Sequence, residues 1–195
     1  MSAAASRKRV ICVGHAALDR VFCVESWPAG SGKIPAHRFE ESGGGMAANA
    51  AAAIARLGGE AVFWGPTGDD AIATAIHVHF VADGVDATWL RRFDGRTSSH
   101  SAVIVDERGE RLVVGLRGSA LQAPADWLPL GQVGQSRALL ADVRWPDGAL
   151  RVTPAFQRSS TGRSPPGKRS KRLSVRPTTL FFPNAGSRPI PAVTT

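Results

Sequence analysis

Several residue types are scarce in this sequence, and each shortage narrows the class of protein it can encode. Tyrosine does not occur, the cysteines are limited to Cys12 and Cys23, and no apolar run reaches the ~20 residues of a membrane span. Two cysteines without metal-ligand spacing argue against a disulfide scaffold or a metal site and favour buried thiols in a reducing compartment. The first residues, MSAAASRKR, lack the apolar core of a secretory signal. We therefore expect a cytoplasmic protein.

Acidic residues are missing from the last quarter of the chain. Residues 151–195 contain nine Lys or Arg and no Asp or Glu, whereas residues 1–150 contain 15 basic and 16 acidic residues. The net charge of +8 thus belongs to the tail, and the preceding part gives no electrostatic reason to expect nucleic acid. Residues 158–172 are basic, polar and rich in Pro and Ser, so we predict disorder from 151 to 195. The segment KRSKR at 168–172 suits an acidic partner, or is only a solvated charge run.

A glycine-rich stretch, SGGGMAAN at residues 42–49, is the most informative part of the chain. The alanine-rich residues after it indicate a loop that turns into a helix, which Gly58 and Gly59 end. Glycine lets a ligand approach the main chain, and the first N–H groups of a helix are free to bind a polar ligand. Asn49 adds a side-chain amide beside them. The alternative is a glycine loop that only lets the helix pack closely on a sheet.

Apolar runs and helical spacing alternate along residues 9–143, which predicts an α/β fold. Asp19 precedes the second strand, where it either accepts hydrogen bonds from ligand hydroxyls or caps a turn. Ser98, Ser99 and His100 begin a strong hairpin signal, and they either approach the same ligand or are ordinary strand residues. The predicted strands cover 9–13, 20–24, 34–41, 61–64, 88–92, 97–105, 111–114 and 137–143, with a turn at 65–70 and a helix over 70–82.

The spacing of Gly44, Gly45, Asn49, Gly58 and Gly68 resembles the first signature of the PfkB/ribokinase family of sugar kinases. A dinucleotide-binding fingerprint fits less well, because no clear strand runs directly into the loop. The resemblance covers residues 9–150 and implies the substrate-binding half of a ribokinase-like α/β sandwich. It includes the first part of the central sheet and a small β lid. It also implies ATP-dependent phosphorylation of a sugar hydroxyl, with ATP and Mg as cofactors, and a homodimer formed through the lid strands.

The same resemblance assigns sugar contacts to Asp19, Gly44, Gly45 and Asn49, and it assigns no catalytic residue or metal ligand. Ala17 stands where relatives often have an Asn, which leaves the identity of the sugar open. Arg144 follows the last predicted strand, where many relatives have a Glu. A positive group there suits an anionic substrate such as a sugar phosphate. The alternative is that Arg144 only pairs with a neighbouring carboxylate.

The family's later motif D-T-x-G-A-G-D is missing, and no carboxylate follows Asp147. In the sugar kinases that motif stabilises the transferring phosphoryl group and supplies the catalytic base. We therefore expect doubtful ATP binding and little or no kinase activity. A frameshift or an early stop near Leu150 would produce this arrangement. The alternative function is a non-catalytic sugar-binding remnant, or an interaction protein whose basic tail engages a partner.

Overall fold

The computed structural model describes residues 9–27 and 30–161, which form two four-stranded sheets and three α-helices. Two short 3-10 helices, Ser119–Gln122 and Leu130–Gln135, lie between the seventh and eighth strands. None of the helices in this part of the chain is long and apolar enough to cross a membrane. In chain order the elements are β1 (Arg9–Val13), β2 (Ala17–Val24), β3 (Ala36–Gly44), α1 (Met46–Arg56), β4 (Glu60–Gly68), α2 (Ala71–Ala82), β5 (Asp86–Phe93), β6 (Ser99–Val105), β7 (Arg111–Leu116), β8 (Ala138–Ala141) and α3 (Pro146–Thr161).

The large sheet is entirely parallel, in the order β5-β4-β1-β8, and carries the core on both faces. Phe63 and Trp64 are consecutive in β4 and fully buried on opposite faces, because side chains alternate along a strand. Phe63 packs in a cluster with α1 and α2, and Trp64 packs in a second cluster with Trp145 and Val152. Burial on both faces explains why these strands are continuous apolar runs.

The small sheet has the order β3-β2-β6-β7 and is much more exposed. β2 pairs antiparallel with β3 and parallel with β6, and β6 and β7 form the predicted hairpin. One face presents Asp19 and Ser101, which lie opposite each other. The other face carries a row of apolar side chains across all four strands, in the order Phe39, Phe22, Ile104 and Leu112.

The predicted change from ordered chain to disorder at residue 151 is wrong for residues 151–161, which complete α3. Val152 is fully buried, and Ala155 and Phe156 pack against the same cluster as Trp145. These apolar residues recur at helical spacing, a signal that the basic and polar composition around them conceals. The remainder of the predicted tail, residues 162–195 with the KRSKR segment, lies outside the described residues.

Several strand boundaries also differ from the sequence prediction, and those of β2 and β4 bear on the site. β2 begins at Ala17, so Asp19 lies within a strand and not in the preceding turn. β4 continues to Gly68 through the predicted turn, because residues 65–68 still pair with β5 after β1 has ended opposite Trp64. Pro66 is tolerated there because this part of β4 has a neighbouring strand on only one side. No second strand needs a hydrogen bond from the N–H that proline lacks.

Candidate functional site

The carboxylate of Asp19 is fixed where the small sheet meets the glycine loop. The Ser101 hydroxyl donates a hydrogen bond of 2.5 Å to Asp19 Oδ1. Gly44 lies so close that a Cβ atom at this position would overlap the same carboxylate. Among the described residues no group donates a hydrogen bond to Oδ2 of Asp19. The geometry therefore fixes Oδ1 at Ser101 and sets Oδ2 against Gly44.

Gly45 is required by the backbone at the start of α1. Its φ is 101°, and a side chain here would meet the main chain of His15 and Ala16. The Gly45 carbonyl accepts the first intrahelical bond, from the Asn49 N–H at 2.8 Å. The close approach packs the glycine loop against the β1–β2 link, as the close-packing alternative predicts.

The expectation that the N-terminal N–H groups of α1 face a ligand is wrong for Ala47 and Ala48. The buried carboxylate of Asp142 accepts the Ala47 N–H at 3.0 Å and the His15 N–H at 2.8 Å. The His15 carbonyl accepts the Ala48 N–H at 3.4 Å. Asp142 thus caps α1 from a distant part of the chain, since Gly45 at the N-cap has no side chain to do so.

Asp142 is a residue that sequence analysis missed. It follows β8 directly, and its other oxygen accepts the Arg144 N–H at 2.9 Å. The signal was its position, because the carboxyl ends of parallel strands meet at one edge of a sheet and a carboxylate there faces neighbouring loops. Sequence analysis placed Asp142 inside the last strand and considered it only as a partner for Arg144.

His15 also escaped the sequence analysis, and it lies between charged groups of both signs. Burial lowers the pKa of its imidazole below the usual 6.5; Asp142 and Asp19 act in the opposite direction, and Arg144 and Arg117 reinforce the lowering. Its Nε2 atom is buried and has no hydrogen-bond partner in the part of the chain that the structure describes. His15 is therefore neutral at pH 7.

Arg144 acts on the pKa of His15, whereas Asn49 borders a groove on the other side of the glycine loop's helix. Asn49 is exposed and lines the groove between β3, α1 and α2, together with Gly43, Gly44, His79 and Asp83. Gly44 borders both this groove and the Asp19 carboxylate. The structure thus brings Asp19 together with Gly44 and Gly45, and Asn49 lies along the adjoining groove.

The serines at the start of β6 have structural partners, in contrast to Ser101. Ser98 donates from its N–H and its hydroxyl to Asp70, at 2.8 and 2.7 Å. The Ser99 hydroxyl accepts the Gly118 N–H at 2.9 Å. Of the described hairpin residues, Ser101 is the one that hydrogen-bonds the Asp19 carboxylate. Side chains alternate between the two faces of a strand, and this alternation along β6 was the signal that Ser101 faces Asp19.

The described residues do not fit the phosphates or the metal of ATP. Within 9–27 and 30–161 no group of three or more His, Cys, Asp or Glu side chains is placed to hold a metal ion. At the N-terminus of α1, the Asp142 carboxylate occupies the main-chain N–H of Ala47, where a phosphate of ATP would otherwise bind. Burial raises the pKa of the Cys12 thiol to about 12, so Cys12 is not a nucleophile.

A parallel α/β sheet, a small lid-like sheet with an inward carboxylate, and a glycine loop opening into a helix together define a ribokinase-type sugar kinase fold. A sequence model described as pfkB family carbohydrate kinase matches residues 7–144. This chain belongs to the pfkB family of carbohydrate kinases.

The relatives cover the same part of the chain. An ATP-dependent ribose-1-phosphate kinase of Halopiger xanaduensis is 33% identical over 110 residues, which are 56% of this chain and 37% of that protein. A candidate ribokinase of Agrobacterium tumefaciens has a crystal structure that superposes with a TM-score of 0.75 at 35% identity, covering 80% of this chain and 51% of that one. Arabidopsis thaliana ribokinase, solved with ribose and ATP, has the same fold, with a TM-score of 0.66 at 23% identity, covering 79% of this chain and 51% of that one. The chain spans about half the length of the solved relatives.

Proposed function

We propose that this chain forms the sugar-binding part of an ATP-dependent carbohydrate kinase, with Asp19, Gly44, Gly45 and Asn49 against the sugar. The observation that carries the proposal is the Asp19 carboxylate, fixed by Ser101 and without a protein donor to Oδ2 among the described residues. An ionised carboxylate accepts strong hydrogen bonds from sugar hydroxyls. Gly44 leaves space for the Asp19 carboxylate itself, since a Cβ atom there would overlap it.

The chemistry that these residues supply is binding and orientation. Phosphoryl transfer also needs groups that neutralise the phosphates and accept the hydroxyl proton. Because the described residues do not fit the ATP phosphates, and because D-T-x-G-A-G-D is missing from the sequence, we assign no transfer step to them. We expect this chain to bind sugar without consuming ATP. The support for a sugar substrate is the family itself and the ribose found in the Arabidopsis relative.

Isothermal titration calorimetry of the full chain with ribose and with fructose tests the proposal. Asp19→Asn removes the charge on the acceptor and should weaken sugar binding about 10-fold or more, since hydrogen bonds to charged groups contribute about 1.5–3 kcal/mol. Asp126→Asn, at an exposed position far along the chain, is the matched control. Equal affinities of D19N and wild type would remove Asp19 from the site. ADP release on adding sugar and ATP would contradict the expectation of binding without turnover.

We also propose that the small sheet pairs with a second copy of this chain. Its outer face has Phe39 52% exposed and Leu112 46% exposed, and they belong to the continuous apolar row. Such a row favours association because it removes apolar area from water. Leu112→Lys should shift sedimentation toward monomer, whereas Leu57→Lys, at an isolated leucine that is 88% exposed, should not. A wild-type chain that sediments as a monomer at high micromolar concentration would overturn this proposal.

A further inference from the structure

One edge of the large sheet has no neighbouring strand among the described residues. β8 is the last strand in the order β5-β4-β1-β8, and in that part of the chain it pairs with β1 alone. Just before β8, the Arg137 N–H donates to the Arg9 carbonyl of β1 at 2.7 Å. Because N–H groups alternate in direction along a strand, those of Ala138 and Leu140 point away from β1. β8 therefore offers main-chain donors and acceptors to a further strand.

The side chains of β8 are also less covered than those of β1 beside it. Leu139 and Leu140 pack against the clusters on opposite faces of the sheet and are half-buried. Ile11 and Cys12, which lie opposite them in β1, are fully buried. The elements on the two faces thus cover β1 completely and β8 only in part. A strand beside β8 would bury more of both leucines, which favours its addition because apolar area leaves water.

Helix α3 carries the chain back to the amino end of this edge. It begins directly after Trp145, beyond the carboxyl end of β8. Near its other end, Ser159 lies beside Gly134, which precedes the amino end of β8: a Cβ atom at Gly134 would be 3.6 Å from the Cβ atom of Ser159. α3 therefore runs antiparallel to β8. A strand that follows α3 would run parallel to β8, as the described strands of this sheet do to one another.

The face on which α3 packs selects the edge to which the chain returns. Connections between parallel strands are right-handed, so connections that move toward opposite edges of a sheet place their helices on opposite faces. α1 and α2 precede β4 and β5 and pack on the face of Phe63. α3 packs on the other face, with Trp64. A strand after α3 therefore belongs at the edge opposite β5, which is the open side of β8.

The sequence after α3 contains a segment suited to that position. Within residues 162–195, the longest run of strand-forming residues without a charge is TTLFF at 178–182. Pro177 and Pro183 flank this run, and proline is compatible with the ends of an edge strand. At up to about 3.3 Å per residue, residues 162–177 reach much farther than the roughly 10 Å between packed layers. The chain is therefore long enough to bring 178–182 to β8.

We propose that residues 178–182 pair in parallel with the open edge of β8 and form a fifth strand of the large sheet. This segment is then part of the folded unit, in contrast to the disorder that the composition of 151–195 predicts. Its leucine and phenylalanines lie on both faces of the sheet, beside Leu139 and Leu140, because side chains alternate along a strand. The inference does not depend on the proposed sugar site.

Hydrogen exchange of the full chain, resolved to single amides by NMR, tests the pairing. The test variant is Leu180→Asp, which places a charge in the middle of the proposed strand. Val193→Asp makes the same change in charge elsewhere after α3 and is the matched control. The amide of Phe63, in the centre of the large sheet, is the internal reference that shows whether the fold is intact in each variant.

We expect the amide of Leu140 and alternate amides of 178–182 to exchange about 10-fold or more slowly in the wild type than in L180D, as loss of a hydrogen bond predicts. V193D should exchange like the wild type. Equal exchange of Leu140 in the wild type and L180D would overturn the proposal, and if these rates fall as protein concentration rises, the strand beside β8 comes from a second copy. Equal effects of L180D and V193D would also overturn it, because the effect would then reflect added charge and not residues 178–182.

Discussion

Both sheets of this protein have four strands, but the large sheet is buried and the small sheet is largely exposed to solvent. In the large sheet, β1 and β4 are buried on both faces by helices and by the segments after β7. In the small sheet, every residue of β7 and nearly all of β3 are exposed. The difference indicates that the large sheet carries most of the buried core, whereas the small sheet, which carries Asp19, has little core of its own.

Replacing one phenylalanine by alanine in each sheet should give the largest difference in stability between the two sheets. Phe63 is fully buried and stacks on Phe80 with ring centroids 4.6 Å apart, whereas Phe39 is half exposed and contacts Phe22 at 5.0 Å. Phe63→Ala should reduce the free energy of unfolding by about 3–5 kcal/mol through loss of burial and cavity formation. Phe39→Ala should cost about 1 kcal/mol or less in the monomer. Urea denaturation of both variants measures the difference, and equal costs would refute the assigned roles of the sheets.

The next effect concerns Asp142, which connects the large sheet to the glycine loop. Asp142→Ala leaves the N–H groups of His15 and Ala47 without their acceptor and should cost about 2–3 kcal/mol of stability. Asp142→Asn retains one oxygen and should cost less. Denaturant midpoints of the two variants give the comparison. An alanine variant as stable as wild type would mean that water replaces the carboxylate without loss.

Gly44 and Gly45 are needed for different reasons. Gly45 is needed for its backbone conformation, and Gly44 is needed for the proposed sugar binding. Gly45→Ala forces a side chain onto a φ of 101° and against the His15 carbonyl, and should destabilise by about 1–2 kcal/mol. Gly44→Ala displaces only the Asp19 carboxylate, whose side chain can rotate away. We therefore expect G44A to unfold near the wild-type temperature and to lose sugar binding. Melting curves and calorimetry check both statements, and sugar binding retained by G44A would contradict the second.

The smallest effect is a pH dependence at the junction of α2 and β6. Desolvation raises the pKa of Asp70, but hydrogen bonds from Ser98 and Ala73 outweigh it, so that the pKa of this carboxyl lies below its usual 3.8. A lowered folded-state pKa adds stability that is present above the unfolded-state pKa and is lost as pH falls through the folded-state pKa. Asp70→Asn should therefore flatten the acid limb of stability below about pH 4. Urea denaturation of the wild type and D70N at several pH values between about 3 and 7 measures this difference. An equal loss of stability toward low pH in both proteins would refute the prediction.

The elements that sequence analysis predicted well are those whose signal is local. The hairpin of β6 and β7 and helix α2, with Asp70 as its N-cap, follow from turn residues and periodicity. The roles of Asp142 and His15 were not predictable in this way, because they depend on which strand ends become neighbours in the parallel sheet. The continuation of α3 to Thr161 was missed because Val152 is apolar in a segment whose composition is basic.

The cap that Asp142 provides for α1 also has a consequence for the order of folding. The hydrogen bond from His15 to Asp142 joins residues 127 positions apart, and the one from Ala47 joins residues 95 apart. Contacts with such long sequence separation form late, since the entropy of closing the loop is lost before the contact is gained. During synthesis, the start of α1 stays uncapped until β8 has left the ribosome and paired with β1. The start of α1 is therefore completed by a segment that is synthesised 95 residues after Ala47.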